Sequence, residues 1–213
     1  MNKAGARSPN DPYPALVSGA RIMNAITGRP GTLGCIGLDA DDKPWIVSCY
    51  HVLGRGRQFL NIVGNDEPIL QSMPDLGSRV VARTRIAKMN SVLDFGAAIV
   101  TQEVDVSPSV LELDKLQRVA DAAVGMKVLK SGATTGVTMG VVAEVTPILI
   151  TIETPADVPD GYILADRRDS GAVWMDAHTG NAVGLHFTSR DNSVALARPL
   201  RHVLGDLALR LLE

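Results

Sequence analysis

Three side chains far apart in the chain could together perform nucleophilic chemistry: His51, Asp94 and Ser170. A serine hydroxyl is a weak nucleophile until a base takes its proton, a carboxylate orients that base, and N–H groups stand where negative charge will form. His51 ends the apolar run Trp45-Ile-Val-Ser-Cys-Tyr50 and precedes Val-Leu-Gly, so a strand end would aim its imidazole. Asp94 sits at the mouth of the apolar stretch Leu93-Asp-Phe-Gly-Ala-Ala-Ile-Val100. A carboxylate buried there unpaired is costly, and an imidazole N–H is its cheapest partner. Ser170 lies in Arg167-Arg-Asp-Ser-Gly-Ala-Val-Trp174, a polar turn that leads into a buried strand. Singly, His51 also reads as a core histidine bonded to backbone and Asp94 as a turn cap. His178, in Asp-Ala-His-Thr-Gly, and His202, on the polar shoulder of the last helical pattern, are given no chemical role.

Rigid elements must hold these groups. Short apolar runs rich in Val, Ile and Thr recur at 32–38, 44–49, 59–63, 79–85, 95–100, 126–129, 137–145, 148–153, 171–175, 182–187 and 194–197. Turn chemistry such as Asp39-Ala-Asp-Asp42, Gly64-Asn-Asp66 and Thr179-Gly-Asn181 separates them, so they read as strands of an all-β sandwich or barrel. The C-terminal stretch 199–213 is the helical exception, with Leu200, Val203, Leu204, Leu207, Ala208, Leu211 and Leu212 at three- and four-residue spacing. A second helix is expected over 109–123. The simplest organisation is an extended arm over 1–20, a first β-lobe over 21–104, a linker over 105–125, and a second β-lobe with the closing helix over 126–213.

Composition excludes several function classes. The 213 residues carry 21 Lys and Arg against 23 Asp and Glu, a formal charge of −2, so no basic excess is present to neutralise a run of phosphates and nucleic acid is not expected as a partner. The N-terminal region has no apolar run of the about 7–15 residues of an export signal, and no window approaches the ~20 apolar residues of a bilayer span. A soluble cytoplasmic protein with no membrane partner is the expectation. Cys35 and Cys49 are the only cysteines and are read as free thiols. Together with His51 they offer zinc-type ligands, but the paired Cys-x-x-Cys spacing is missing, so no metal is expected. Ser170 is not in Gly-x-Ser-x-Gly, since Arg168 and Ala172 hold the glycine positions; no Gly-x-x-x-x-Gly-Lys phosphate loop occurs, and no cofactor is expected.

Ile46-Val-Ser-Cys-Tyr-His51, Leu93-Asp-Phe-Gly-Ala-Ala-Ile99 and Asp169-Ser-Gly171, in the order His, Asp, Ser, resemble the three signatures of chymotrypsin-like serine peptidases. Subtilisins and α/β-hydrolases carry the same groups in other orders. Gly31-Thr-Leu-Gly-Cys-Ile36 is similar to the strand before that family's catalytic histidine, and Ser131-Gly-Ala-Thr-Thr-Gly136 to the start of its second barrel. The nearest flavour is the bacterial trypsin-like group without a secretion signal. The resemblance covers about residue 31 to the end. It implies two orthogonally packed six-stranded β-barrels with a C-terminal helix. It also implies an endopeptidase acting on protein or peptide substrates, with His51 as base, Asp94 as its orienting partner, Ser170 as nucleophile, and the N–H groups of Arg168 and Ser170 as oxyanion hole.

The chain departs from the family pattern in places. Arg168 replaces the usual Gly two residues before the nucleophile, and no Ile-Val-Gly-Gly segment exists to supply an amine to Asp169, whose partner is then sought among Arg167, Arg168 and Arg190. The familiar bridge beside the catalytic histidine does not map, although Cys35 and Cys49 would lie on adjacent strands. Similarity to the family's primary pocket implies a pocket formed by Leu164, His186 and Ser189. A histidine in Gly-Leu-His186 implies Glu or Gln before the cut, and Leu164 disfavours Lys and Arg; the other reading of His186 is a half-buried structural histidine on a barrel strand. The rival reading is a peptidase-like fold that binds or scaffolds, silent or only conditionally active, which Arg168 favours.

Overall fold

In the computed structural model, residues 15–54, 65–73 and 77–213 are described. The strand expected over 59–63 lies outside them. The first half holds β1 (Ala15–Ser18), β2 (Arg21–Asn24), β3 (Pro30–Thr32), β4 (Cys35–Leu38), β5 (Pro44–Ser48), the one-turn helix α1 (Tyr50–Leu53), β6 (Pro68–Met73), β7 (Gly77–Asn90), β8 (Phe95–Val100) and β9 (Asp105–Val110). The second holds β10 (Lys127–Gly132), β11 (Gly136–Val145), β12 (Ile150–Glu153), a single 3-10 turn at Arg167–Asp169, β13 (Val173–Asp176), β14 (Ala182–Ser189), β15 (Val194–Pro199), helix α2 (Leu200–Asp206) and β16 (Arg210–Leu211).

The strands β10-β11-β12-β15-β14-β13 close into a six-stranded barrel. The first unit differs from expectation: it is an eight-stranded sheet in the order β16-β4-β5-β8-β7-β6-β2-β3, a half-barrel rather than a closed six-stranded one. β1, inside the stretch read as an arm, pairs in parallel with β9, and Leu16 is fully buried.

The closing helix is shorter than its pattern. It ends at Asp206, and Ala208 turns left-handed at φ 48°. The chain then adds β16 to the first sheet through Arg210↔Leu38 and Leu211↔Gly37. Leu207, Leu209 and Leu211 are buried while Ala208 and Arg210 are exposed, so this stretch obeys the strand period of two. The helix expected over 109–123 does not form. Its N–H groups bond outward instead, Leu111 to Ser18, Gln117 to Gly180 and Ala120 to Ala182, because neighbouring strand edges satisfy them.

Apolar burial divides into three clusters. Ile22, Ile46, Ile69 and Val81 fill the first sheet, and Trp174, Val128, Ile150 and Ile152 fill the barrel. The third cluster, with Phe95, Leu116, Leu185, Leu200 and Leu209, draws on both halves and seals them together. Each such side chain removed from water contributes about 1.5–3 kcal/mol.

Polar contacts fix the seam in register. Across it, Thr32 donates its N–H to the Ser170 carbonyl at 2.9 Å; on either side, Ser48 Oγ donates to the Thr32 carbonyl at 2.7 Å and Gly171 donates to the His186 carbonyl at 2.8 Å. Gly171 has φ +98°, and a Cβ there would overlap Ser48 Oγ and the Thr32 carbonyl oxygen. Gly28, at φ +65°, has nothing within 4 Å of such a Cβ. Gly28→Ala should therefore cost only left-handed strain, about 1–2 kcal/mol, whereas Gly171→Ala should cost about 3–5 kcal/mol, measured as urea unfolding free energies.

Candidate active site

β5 and β8 pair antiparallel with Ser48 opposite Gly96, so the chain leaving β5 and the chain entering β8 meet at one edge of the sheet. His51 lies in α1, just past the strand rather than on it, and Asp94 sits two residues before Gly96. The turn ahead of Asp94 is closed by Asn90 Oδ1, which accepts from Val92 and Leu93 N–H, and Asp94 itself is left-handed at φ 61°. Both carboxylate oxygens then serve His51: Nδ1 donates to Oδ2 at 2.8 Å and the backbone N–H donates to Oδ1 at 3.1 Å. Because an ionised carboxylate only accepts, this contact assigns the ring proton to Nδ1 and leaves Nε2 as the basic nitrogen. The side chains are 30% and 13% exposed, half-sheltered yet open to a ligand.

Cys49 lies beneath this pair, its Sγ within 4.8 Å of ligand atoms of His51 and Asp94. Burial first, and the Asp94 charge second, push its thiol well above the ordinary range. The thiol donates to the His186 carbonyl at 3.1 Å, so it is a neutral donor and ill suited to a cation. Cys35 belongs to a different apolar cluster, and burial raises its thiol to about 12; both thiols are free.

Ser170 follows the 3-10 turn. Asp166 caps that turn, its Oδ1 accepting from the Arg168 N–H at 3.3 Å, while its own N–H donates to Asp169 Oδ2 at 3.0 Å. Ser170 Oγ lies 3.1 Å from the Arg167 carbonyl oxygen and 3.3 Å from that of Phe187, and its single proton serves one at a time. Thr32 Oγ1 donates to the Arg168 carbonyl at 3.0 Å, tying the turn to the first sheet.

Asp169 is fully buried, and its partner is none of the arginines considered from sequence. Lys130, also without exposure, reaches Oδ2 at 2.9 Å; Thr135 Oγ1 donates to the same oxygen at 2.6 Å, and the N–H groups of Thr134 and Thr135 donate to Oδ1. Sequence reasoning missed Lys130. Its signal was present: Val128 and Lys130 share the inward face of β10, and a lysine on such a face requires an acid. Burial alone would raise the Asp169 carboxyl, but the Lys130 ammonium and these hydrogen bonds outweigh it and hold it at about 2. The Lys130 ammonium is lowered, because burial outweighs the attraction of Asp169.

His51, Asp94, Ser170 and Ser189 line one cleft of about 1030 Å³. Leu164 and His186 stand behind its wall. Leu164 is fully buried and accepts from Thr138 Oγ1 through its carbonyl. His186 is 1% exposed, meets Trp174 edge-on at 6.2 Å, and has no partner on either ring nitrogen among the described residues. Burial, then the Lys130 charge, lower its imidazole to about 3, so it is neutral at physiological pH.

No family model matches the chain, and no curated protein matches it. Solved structures do. The Nocardiopsis protease NAPase superposes with a TM-score of 0.67 at 15% identity over 93% of this chain and 100% of its own. A glutamic acid-specific serine protease, described as using a histidine triad in substrate binding, gives 0.66 at 17% over 92% and 100%. Protease A of Thermobifida fusca gives 0.64 at 16% over 93% and 98%. The fold is chymotrypsin-like.

Within this chymotrypsin-like fold the residue before Ser170 sits in a fully buried ion pair. Lys130→Met should lower the unfolding free energy by about 3–5 kcal/mol in urea titration, and adding Asp169→Asn should recover part of that loss by removing the stranded charge. Asp169, held near 2 against an ordinary 3.8, contributes stability that is complete above pH about 4 and lost as pH falls toward 2. His186, held near 3 against 6.5, remains neutral when folded but charges when unfolded. Stability should therefore fall as pH drops from about 6.5 to 3, by up to about 1.4 kcal/mol per unit, and His186→Phe should flatten that limb.

Proposed function

We propose that the protein is a serine endopeptidase that cleaves peptide bonds through an acyl-enzyme. The observation that carries this reading is the His51–Asp94 pair facing the same cleft as Ser170. In the reaction His51 Nε2 takes the Ser170 proton as Oγ attacks the scissile carbonyl carbon. Asp94 holds Nδ1–H and offsets the imidazolium charge. The oxyanion forms against the N–H groups of Arg168 and Ser170. Collapse breaks the C–N bond, His51 gives its proton to the leaving amine, and water then repeats the sequence on the ester. The fold supports a protease reading, since the proteases it resembles share it. The substrate side chain before the cut enters beside Ser189 in front of His186, and Glu or Gln is the preference assigned to it.

A second reading is favoured by two contacts. The Arg168 N–H is engaged by the Asp166 carboxylate, and the Ser170 hydroxyl is beside the Arg167 carbonyl rather than hydrogen-bonded to His51. The chain then behaves as a binding module or a conditionally active enzyme, in which a ligand must displace Asp166 from Arg168 before the oxyanion has its second donor.

Labelling by a fluorophosphonate probe separates the two. A working triad labels at Ser170, and either His51→Ala or Ser170→Ala should reduce the rate at least about 10³-fold. A wild type that stays unlabelled with and without peptides defeats the enzyme reading, and cleavage after Arg in a peptide library defeats the pocket assignment. Asp166→Ala should accelerate labelling roughly tenfold if the carboxylate restrains the loop, and leave it unchanged if it does not.

A further inference from the structure

Four arginines and three carboxylates line the cleft. Arg29 reaches it from the turn between β2 and β3, Arg167 and Arg168 from the 3-10 turn, and Arg190 from the end of β14. All four are exposed, and none makes an ion pair with an acidic group among the described residues. Four arginines elsewhere are paired with acids: Arg83 and Arg85 share Asp66, Arg201 holds Asp121 and Arg210 holds Asp42.

The carboxylates that line the same cleft are engaged by other groups. Asp94 serves His51, Asp166 accepts from the Arg168 backbone, and Asp191 accepts from the N–H and hydroxyl of Ser193 and the N–H of Val194. Arg190 does feel the adjacent Asp191 charge but makes no ion pair with that carboxylate, whose Oδ1 accepts from its own loop. The guanidinium forks are thus left to whatever enters, and a guanidinium is matched in shape to a carboxylate. His186 cannot do this work, since it is buried, neutral and behind the wall. The four arginines also come from both halves of the molecule, Arg29 from the first and the other three from the second.

We propose that the cleft selects a peptide segment carrying several carboxylates, with Arg190 receiving the acidic side chain beside Ser189 and Arg29 receiving one on the opposite lobe. This deepens the endopeptidase reading by naming its substrate class and rests on that reading only for the cut itself. Binding can be tested without turnover. Full-length Ser170→Ala protein is titrated by fluorescence anisotropy with a fluorescein-labelled peptide bearing consecutive Glu residues at its centre, and with the same peptide carrying Gln.

The Glu peptide should bind at least about tenfold more tightly, and raising salt from about 50 to 300 mM should weaken it several-fold while sparing the Gln peptide. Arg190→Gln and Arg29→Gln, singly and together, should erase the difference with the unfolding midpoint unchanged. Equal binding of the two peptides, or a preference that survives both substitutions, overturns the proposal. So does an oligodeoxynucleotide of equal charge that binds as tightly, since the cleft would then be a general polyanion site. A Glu-selective cleft in a protein that neither labels nor cleaves would leave this inference standing and defeat the endopeptidase reading. Efficient labelling with no Glu preference would do the reverse.

Discussion

A carboxylate with no exposure must be given donors on every side, and the Asp169 charge organises the site for that reason. Lys130, the Thr135 hydroxyl and the N–H groups of Thr134, Thr135 and Asp166 all converge on it. Those donors come from β10, from the turn that follows it, and from the start of the 3-10 turn, so meeting one charge fixes three segments at once. Ser170 is the next residue and inherits that position. A buried ion pair is weak evidence for net stability, but breaking it leaves a charge stranded. The pair therefore acts on position more than on overall free energy.

The second constraint is the seam. His51 and Asp94 come from the eight-stranded sheet and Ser170 from the barrel, so no half holds the site by itself. Thr32 crosses between them three times, through its N–H to Ser170, its hydroxyl to Arg168, and the Ala133 N–H that its hydroxyl accepts at 3.0 Å. Gly171 lets the backbones approach closely enough for this. The last strand, β16, returns from the barrel side to the edge of the first sheet, a further tie between the halves. Among the described residues, no helix is long and apolar enough to cross a membrane.

On the proposed endopeptidase reading, the turn before Ser170 carries opposing demands. As a 3-10 turn it leaves N–H groups without intrahelical partners, and the Asp166 carboxylate satisfies one of them. An oxyanion hole requires such N–H groups to stay open for charge that appears only during reaction. Exposed arginines line the same cleft as this turn, and on the proposed reading they draw an incoming anion even while the Asp166 carboxylate competes for the backbone.

Much of this was legible in the chain. Short apolar runs bounded by turn residues marked most strands, including β5 and β8 nearly to the residue, because strands buried on both faces leave continuous apolar runs in sequence. The types and order of His51, Asp94 and Ser170 pointed to one chemistry, and the structure brings all three to one cleft. Other features depended on contacts distant in sequence. The stretch after Asp206 carries leucines compatible with both helix and strand, and the open edge of β4 decided for strand. The segment 109–123 has apolar residues at helical spacing, yet neighbouring strands took its N–H groups. Asp169 could have been matched with several cations, and only packing chose Lys130 over the nearby arginines, because it alone is buried beside the carboxylate. That choice left the arginines at the cleft. Sequence determined which groups were available and which face of each strand they occupied; tertiary structure decided which of them met, since burial penalties act on neighbours in space rather than along the chain.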